Sequence, residues 1–168
     1  MSYNHENLIV GCGNILFGDD GFGPEVIKYM KDNNITFPGD TILIDCATSA
    51  PHYIFTLPED KWRNIIIIDI ADMNKKPGQI DVLDIEDVLE SERYMDVHGI
   101  SATYPLHDLK DKVNIKIVAC QPENVPIDME IGLSDAVKDS IPSTIKKVST
   151  VLLGLMEWLY TTYKENFN

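Results

Sequence analysis

Two adjacent carboxylates, Asp19 and Asp20, lie in the turn Gly11-Cys12-Gly13-Asn14-Ile15-Leu16-Phe17-Gly18-Asp19-Asp20-Gly21-Phe22-Gly23-Pro24. The turn joins a strand-like segment (Leu8, Ile9, Val10) to a helical pattern (Val26, Ile27, Met30). Glycine at such a junction commonly lets backbone approach a phosphate in front of a helix N-terminus. Here the acidic pair would repel a pyrophosphate and attract a cation, and Leu16 stands where the dinucleotide fingerprint needs its third glycine. The turn therefore reads as a place for a metal ion or a proton. Asp69, closing an isoleucine run, and His98, ahead of a weak helical segment, can join Asp20 as ligands. Two carboxylates and one imidazole suit nickel, zinc, iron or manganese by ligand type. The separations of 49 and 29 residues follow no local spacing rule. Each residue also has a plain structural reading: Asp20 at a helix N-terminus, Asp69 as a loop-fixing acceptor, His98 on the surface. His5, His52 and His107 read as surface or partly packed residues.

The elements that must position these groups follow from apolar patterning. Five segments read as buried strands: Asn7–Cys12, Thr41–Cys46, Asn64–Asp69, Gln79–Asp84 and Val113–Cys120. Four consecutive isoleucines in the third predict a central strand covered on both faces. Helices are predicted over Pro24–Asn33, Pro51–Leu57, Ser101–Asp111 and Pro142–Tyr163. The last carries Ile145, Val148, Val151, Leu152, Leu155, Met156, Leu159 and Tyr163 at spacings of three and four, over roughly 33 Å. Ser134 is the expected N-cap of a short preceding turn. Asp81–Arg93 reads as a solvated strand-to-helix face. Alternating strands and helices predict a single α/β domain over residues 1–168, a three-layer α/β/α architecture with a mostly parallel five-stranded sheet. The short polar stretch Asn74–Gly78 cannot hold a helical crossover, so the third and fourth strands are expected to pair antiparallel. In such sheets ligands bind outside the carboxyl ends of the strands, and Asp20, Asp69 and His98 can all be placed near that edge.

The balance of 14 basic against 27 acidic residues, a net charge of −13, argues against nucleic acid and anionic membrane partners. The N-terminus lacks the pattern of a signal peptide and no apolar run approaches a membrane span, so a cytoplasmic setting is expected. Cys12, Cys46 and Cys120 each finish a strand without CxxC spacing, and read as small buried hydrophobes in a reducing compartment.

With these residues in place, the chain resembles the hydrogenase maturation endopeptidases, above all the branch serving the coenzyme-reducing (deazaflavin) hydrogenases of methanogens. The resemblance rests on Gly11-Cys12-Gly13-Asn14, Gly18-Asp19-Asp20-Gly21-Phe22-Gly23, Ile65-Ile66-Ile67-Ile68-Asp69 and His98. Asn74-Lys75-Lys76-Pro77-Gly78, Pro122-Glu123 and Ile131-Gly132-Leu133-Ser134 extend it along the chain. Where the family often has Asp-Gly-Gly-Thr after the second strand, this chain reads Asp45-Cys46-Ala47-Thr48, and Val97 replaces a frequent proline before the histidine. The resemblance implies an endopeptidase that removes the C-terminal extension of a nickel-iron hydrogenase large-subunit precursor after nickel insertion. Nickel carried by the precursor would be the recognition signal, contacted by Asp20, Asp69 and His98, with no organic cofactor. The chemistry would be metal-assisted or of the aspartic type, pairing Asp19 or Asp20 with Asp69. The rival expectations are a non-enzymatic protein that holds the nickel-loaded precursor, and a flavodoxin-like nucleotide module. The sequence leaves the oligomeric state open, and a monomer is compatible with it.

Overall fold

The computed structural model describes residues 6–48, 62–90 and 109–166. Its centre is a five-stranded sheet of β1 (Asn7–Cys12), β2 (Thr41–Ala47), β3 (Asn64–Ile70), β4 (Ile80–Asp84) and β5 (Asn114–Cys120). The spatial order is β2-β1-β3-β5-β4. The first four strands in that order run parallel and β4 runs antiparallel to β5. The isoleucine run behaves as its pattern demands: Ile65 and Ile67 enter one core cluster, Ile66 and Ile68 the opposite one.

One face of the sheet carries α1 (Phe22–Asp32), the short α3 (Asp135–Asp139) and the long α4 (Ile141–Asn166). Phe22, Val26, Ile27 and Met30 of α1 pack there with Val148 and Leu152 of α4. Ile145, Val151, Leu155 and Met156 lie partly buried against the same cluster, as the spacing predicted. Leu159 and Tyr163 fall outside the described side chains. The opposite face carries α2 (Ile85–Glu90), which contributes Ile85 and Val88 beside Leu109. The predicted helix Pro51–Leu57 and nearly all of Ser101–Asp111 lie outside the described residues.

The expected pairing of the third and fourth strands is corrected by the structure. The fourth strand is indeed antiparallel, but its neighbour is β5, which inserts between it and β3. Burial explains the exchange. Ile115, Ile117, Val118 and Ala119 of β5 are buried toward both faces, whereas β4 carries Asp81 and Asp84, suited to an edge. Those carboxylates pair with Lys75 and Lys116 respectively.

The parallel strands are pinned at their N-terminal ends by polar side chains. The Asn64 amide donates to Asn7 Oδ1 (2.8 Å), and the Asn114 amide donates to Asn64 Oδ1 (3.1 Å). The Asn7 amide in turn reaches Thr41 Oγ1 (3.3 Å). Each of these residues opens its strand, so one ladder sets the register of four strands.

Candidate functional site

β1 and β3 are neighbours, and the connection after β1 leads to β2 on the opposite side. Their carboxyl ends therefore form the point where the strand order reverses, the usual ligand crevice of an open α/β sheet. Gly11 pairs with Ile68, so Cys12 and Asp69 stand level one step further along. The turn after β1 brings Asp20 to the same end.

The glycines of this turn allow backbone to pack directly on backbone. A Cβ on Gly23 would lie 2.3 Å from the Cys12 carbonyl oxygen and 2.4 Å from that of Ile68, and one on Gly11 would lie 2.3 Å from the Gly23 carbonyl oxygen. The start of α1 is thereby seated directly on the ends of β1 and β3. Gly13, at φ +129°, passes so near Asp20 that a Cβ would meet its carbonyl oxygen at 1.9 Å. The Asn14 N–H donates to both the Asp20 carbonyl (3.0 Å) and its Oδ2 (3.1 Å). The Asn14 side chain accepts from the Leu16 N–H (3.0 Å), closing a local turn. Gly13 and Asn14 thus orient Asp20.

Asp19 has a different task. It is fully buried, and its carboxylate accepts four hydrogen bonds: from the N–H groups of Glu123 (2.8 Å), Asn124 (2.9 Å) and Ser134 (2.7 Å), and from the Ser134 hydroxyl (2.9 Å). Asp19 ties the loop after β5 to the turn after β1. Ser134 occupies the N-cap position of α3, yet its hydroxyl serves Asp19 and makes no cap bond. The capping role expected of it is replaced by this tie.

Asp69 is half-buried, the penultimate residue of β3, and accepts the N–H of Ile70 (2.8 Å) on Oδ1. Cys12 reports the field at this point. Its thiol is pushed well above the ordinary range, first by burial, then by Asp69, Cys46, Asp45 and Asp20. The carboxylates among these groups, Asp69, Asp45 and Asp20, make the point negative, an environment that suits a cation. Burial foremost raises Cys46 to about 12 and Cys120 to about 11. The three cysteines stand protonated, which accords with their reading as packing residues.

Asp20 and Asp69 therefore lie at the same end of the sheet, both acting on the Cys12 thiol, Asp19 is tied to another loop, and His98 lies outside the described residues, as do His5, His52 and His107. Among the described residues no group of three or more His, Cys, Asp or Glu side chains is arranged to hold a metal ion. The Asn7–Asn64–Asn114 ladder and the Asp19 tie escaped sequence reasoning. For the first, the available signal was asparagine opening three apolar runs.

The chain matches the family model described as hydrogenase maturation protease over residues 24–151. That match begins after Asp20, whose assignment rests on its place in the turn. A curated relative, coenzyme F420 hydrogenase subunit delta of Methanothermobacter thermautotrophicus, is 38% identical over 153 residues, 88% of this chain and 95% of its own length. The hydrogenase 3 maturation protease of Escherichia coli is 24% identical over 144 residues, covering 84% and 88% of the two chains. Among solved structures, the hydrogenase-maturating endopeptidase HybD of E. coli superposes with a TM-score of 0.73 at 20% identity, over 89% of this chain and 93% of that one. The crystal structure of the hydrogenase 3 maturation protease gives 0.70 at 22% identity, over 86% and 90%.

Proposed function

This chain belongs to the hydrogenase maturation protease family, and on that premise we propose that it cuts the C-terminal extension from a nickel-iron hydrogenase large-subunit precursor once nickel is in place. What supports the reading is that Asp69 stands at the end of β3 while the turn after the adjacent parallel strand β1 carries Asp20, both carboxylates acting on the Cys12 thiol. The relative from the F420 hydrogenase favours a coenzyme-reducing hydrogenase as the source of the precursor.

Asp20, Asp69 and His98 would contact the nickel that the precursor carries, so the metal arrives as part of the substrate. Two carboxylates and an imidazole leave coordination positions for groups of the precursor. Nickel docked there would hold the scissile peptide against the same two carboxylates. A carboxylate would then activate water as general base, or the metal would polarise the carbonyl. With Asp19 committed to the tie, an aspartic-type mechanism in this chain runs through Asp20 and Asp69.

The deciding experiment is mass spectrometry of the precursor, nickel-loaded and nickel-free, after incubation with this protein. A single C-terminal truncation in the loaded sample alone is the expected result. A loaded precursor that binds but stays whole would replace the reading with that of a holding protein.

A further inference from the structure

Beyond the carboxylate crevice, the segment that demands an explanation is the strap of residues 122–134, which leaves β5 and crosses to the turn after β1. Val125, Ile127, Met129 and Ile131 on it are all exposed, Ile127 at 97%, Ile131 at 76% and Met129 at 66%. Ile15, on the neighbouring turn, is exposed as well. Large apolar side chains scattered singly on a surface need no explanation, but a group of this size on one edge marks an interaction site.

The strap is firmly held. Its two ends bind the Asp19 carboxylate through Glu123, Asn124 and Ser134. Its middle is bonded to the turn: the Gly18 N–H donates to the Glu130 carbonyl (2.7 Å), and the Glu130 N–H donates to the Leu16 carbonyl (2.9 Å). Pro126 lies against Gly18, where a Cβ would come within 2.8 Å of its ring. Backbone groups do the holding and the apolar side chains are left outward, the arrangement of a surface preorganised for a partner.

Two observations say which partner. Between Lys116 and Lys138 there is no basic residue, while Glu123, Asp128, Glu130 and Asp135 lie in that interval, so the complement is apolar and cationic. A second copy of this chain, also at −13, would bring like charge against like. The strap is also continuous with the crevice, since the four-residue 3-10 turn Gly18–Gly21 carries both its anchors and Asp20.

We propose that this strap, with Ile15, is the docking edge for an apolar segment of the precursor that bears lysine or arginine, next to the scissile bond. The inference rests on the processing activity and names how the substrate chain is gripped.

The test compares the intact protein with the double variant Ile127→Ser, Ile131→Ser and with Asp128→Asn, Glu130→Gln. Binding of the nickel-loaded precursor is followed by calorimetry, processing by mass spectrometry and self-association by sedimentation. The apolar variant should keep its melting temperature and weaken binding roughly tenfold, the loss falling on KM more than on kcat. The charge variant should weaken binding less and reduce its salt dependence. If the parent chain binds and cuts while both variants do so equally well, the docking edge is wrong and the processing activity stands. A parent chain that neither binds nor cuts the precursor overturns both. Dimers that the apolar variant dissolves would assign the strap to a second copy and overturn the proposal.

Discussion

Asp19 and Asp20 are neighbours of one residue type with opposite tasks, and substitution should separate them. Asp19→Asn keeps the shape but weakens four hydrogen bonds inside the protein. A loss of about 2–4 kcal/mol is expected, read as a lower melting temperature. Asp20→Asn and Asp69→Asn should leave melting nearly unchanged and abolish processing, and His98→Ala should do the same. Loss of folding in all three would return these residues to structural roles. The cysteines yield a pH prediction. An unfolded thiol titrates near 9.0, whereas folded Cys46 holds its proton to about 12 and Cys120 to about 11. From pH 9 upward the unfolded state sheds protons that the folded state keeps. Stability therefore falls over that window and levels off beyond the folded values. Melting curves between pH 8 and 11 should show the decline, and Cys46→Ala should make it shallower. The sequence disclosed the acidic turn but not the division of labour within it. The partners of Asp19 are more than a hundred positions away, and spacing along the chain carries no information about which of two neighbours turns inward.

At the scale of elements, apolar runs found all five strands to within a residue or so, and the isoleucine run identified the central one. The place of β5 was hidden, because a short connection constrains direction more firmly than adjacency. What decided adjacency was burial on both faces, a property of the assembled sheet. The glycines were visible, yet their reason was not: α1 can reach the ends of β1 and β3 only where no Cβ intervenes. Gly23→Ala should push the helix off its seat, losing about 1–3 kcal/mol of stability and most of the processing rate together. Asn64→Ala makes the contrasting case. It removes the central rung of the amide ladder, at the end of the sheet far from the crevice. A cost of about 1–3 kcal/mol is expected with KM for the precursor unchanged, checked by melting and steady-state processing.

Taken whole, the molecule is a charged body of −13 that places one negative crevice and one acidic, apolar-studded strap at the same edge of its sheet. Raising salt from about 50 to 500 mM should therefore slow association with the precursor and weaken binding, which calorimetry across a salt series would read. No helix among the described residues is long and apolar enough to cross a membrane. The order in which the strands are made has a consequence for synthesis. A ribosome delivers β4 some thirty residues before β5, the strand it pairs with. Until β5 emerges, the nascent chain can assemble only β2, β1 and β3. The outer edge of β3 stays open, its backbone N–H and C=O groups unpaired and its isoleucines without the flanking side chains of β5. Stalled chains ending before residue 114 should accordingly recruit chaperones and stay sensitive to protease, and chains that reach the end of α4 should shed both traits.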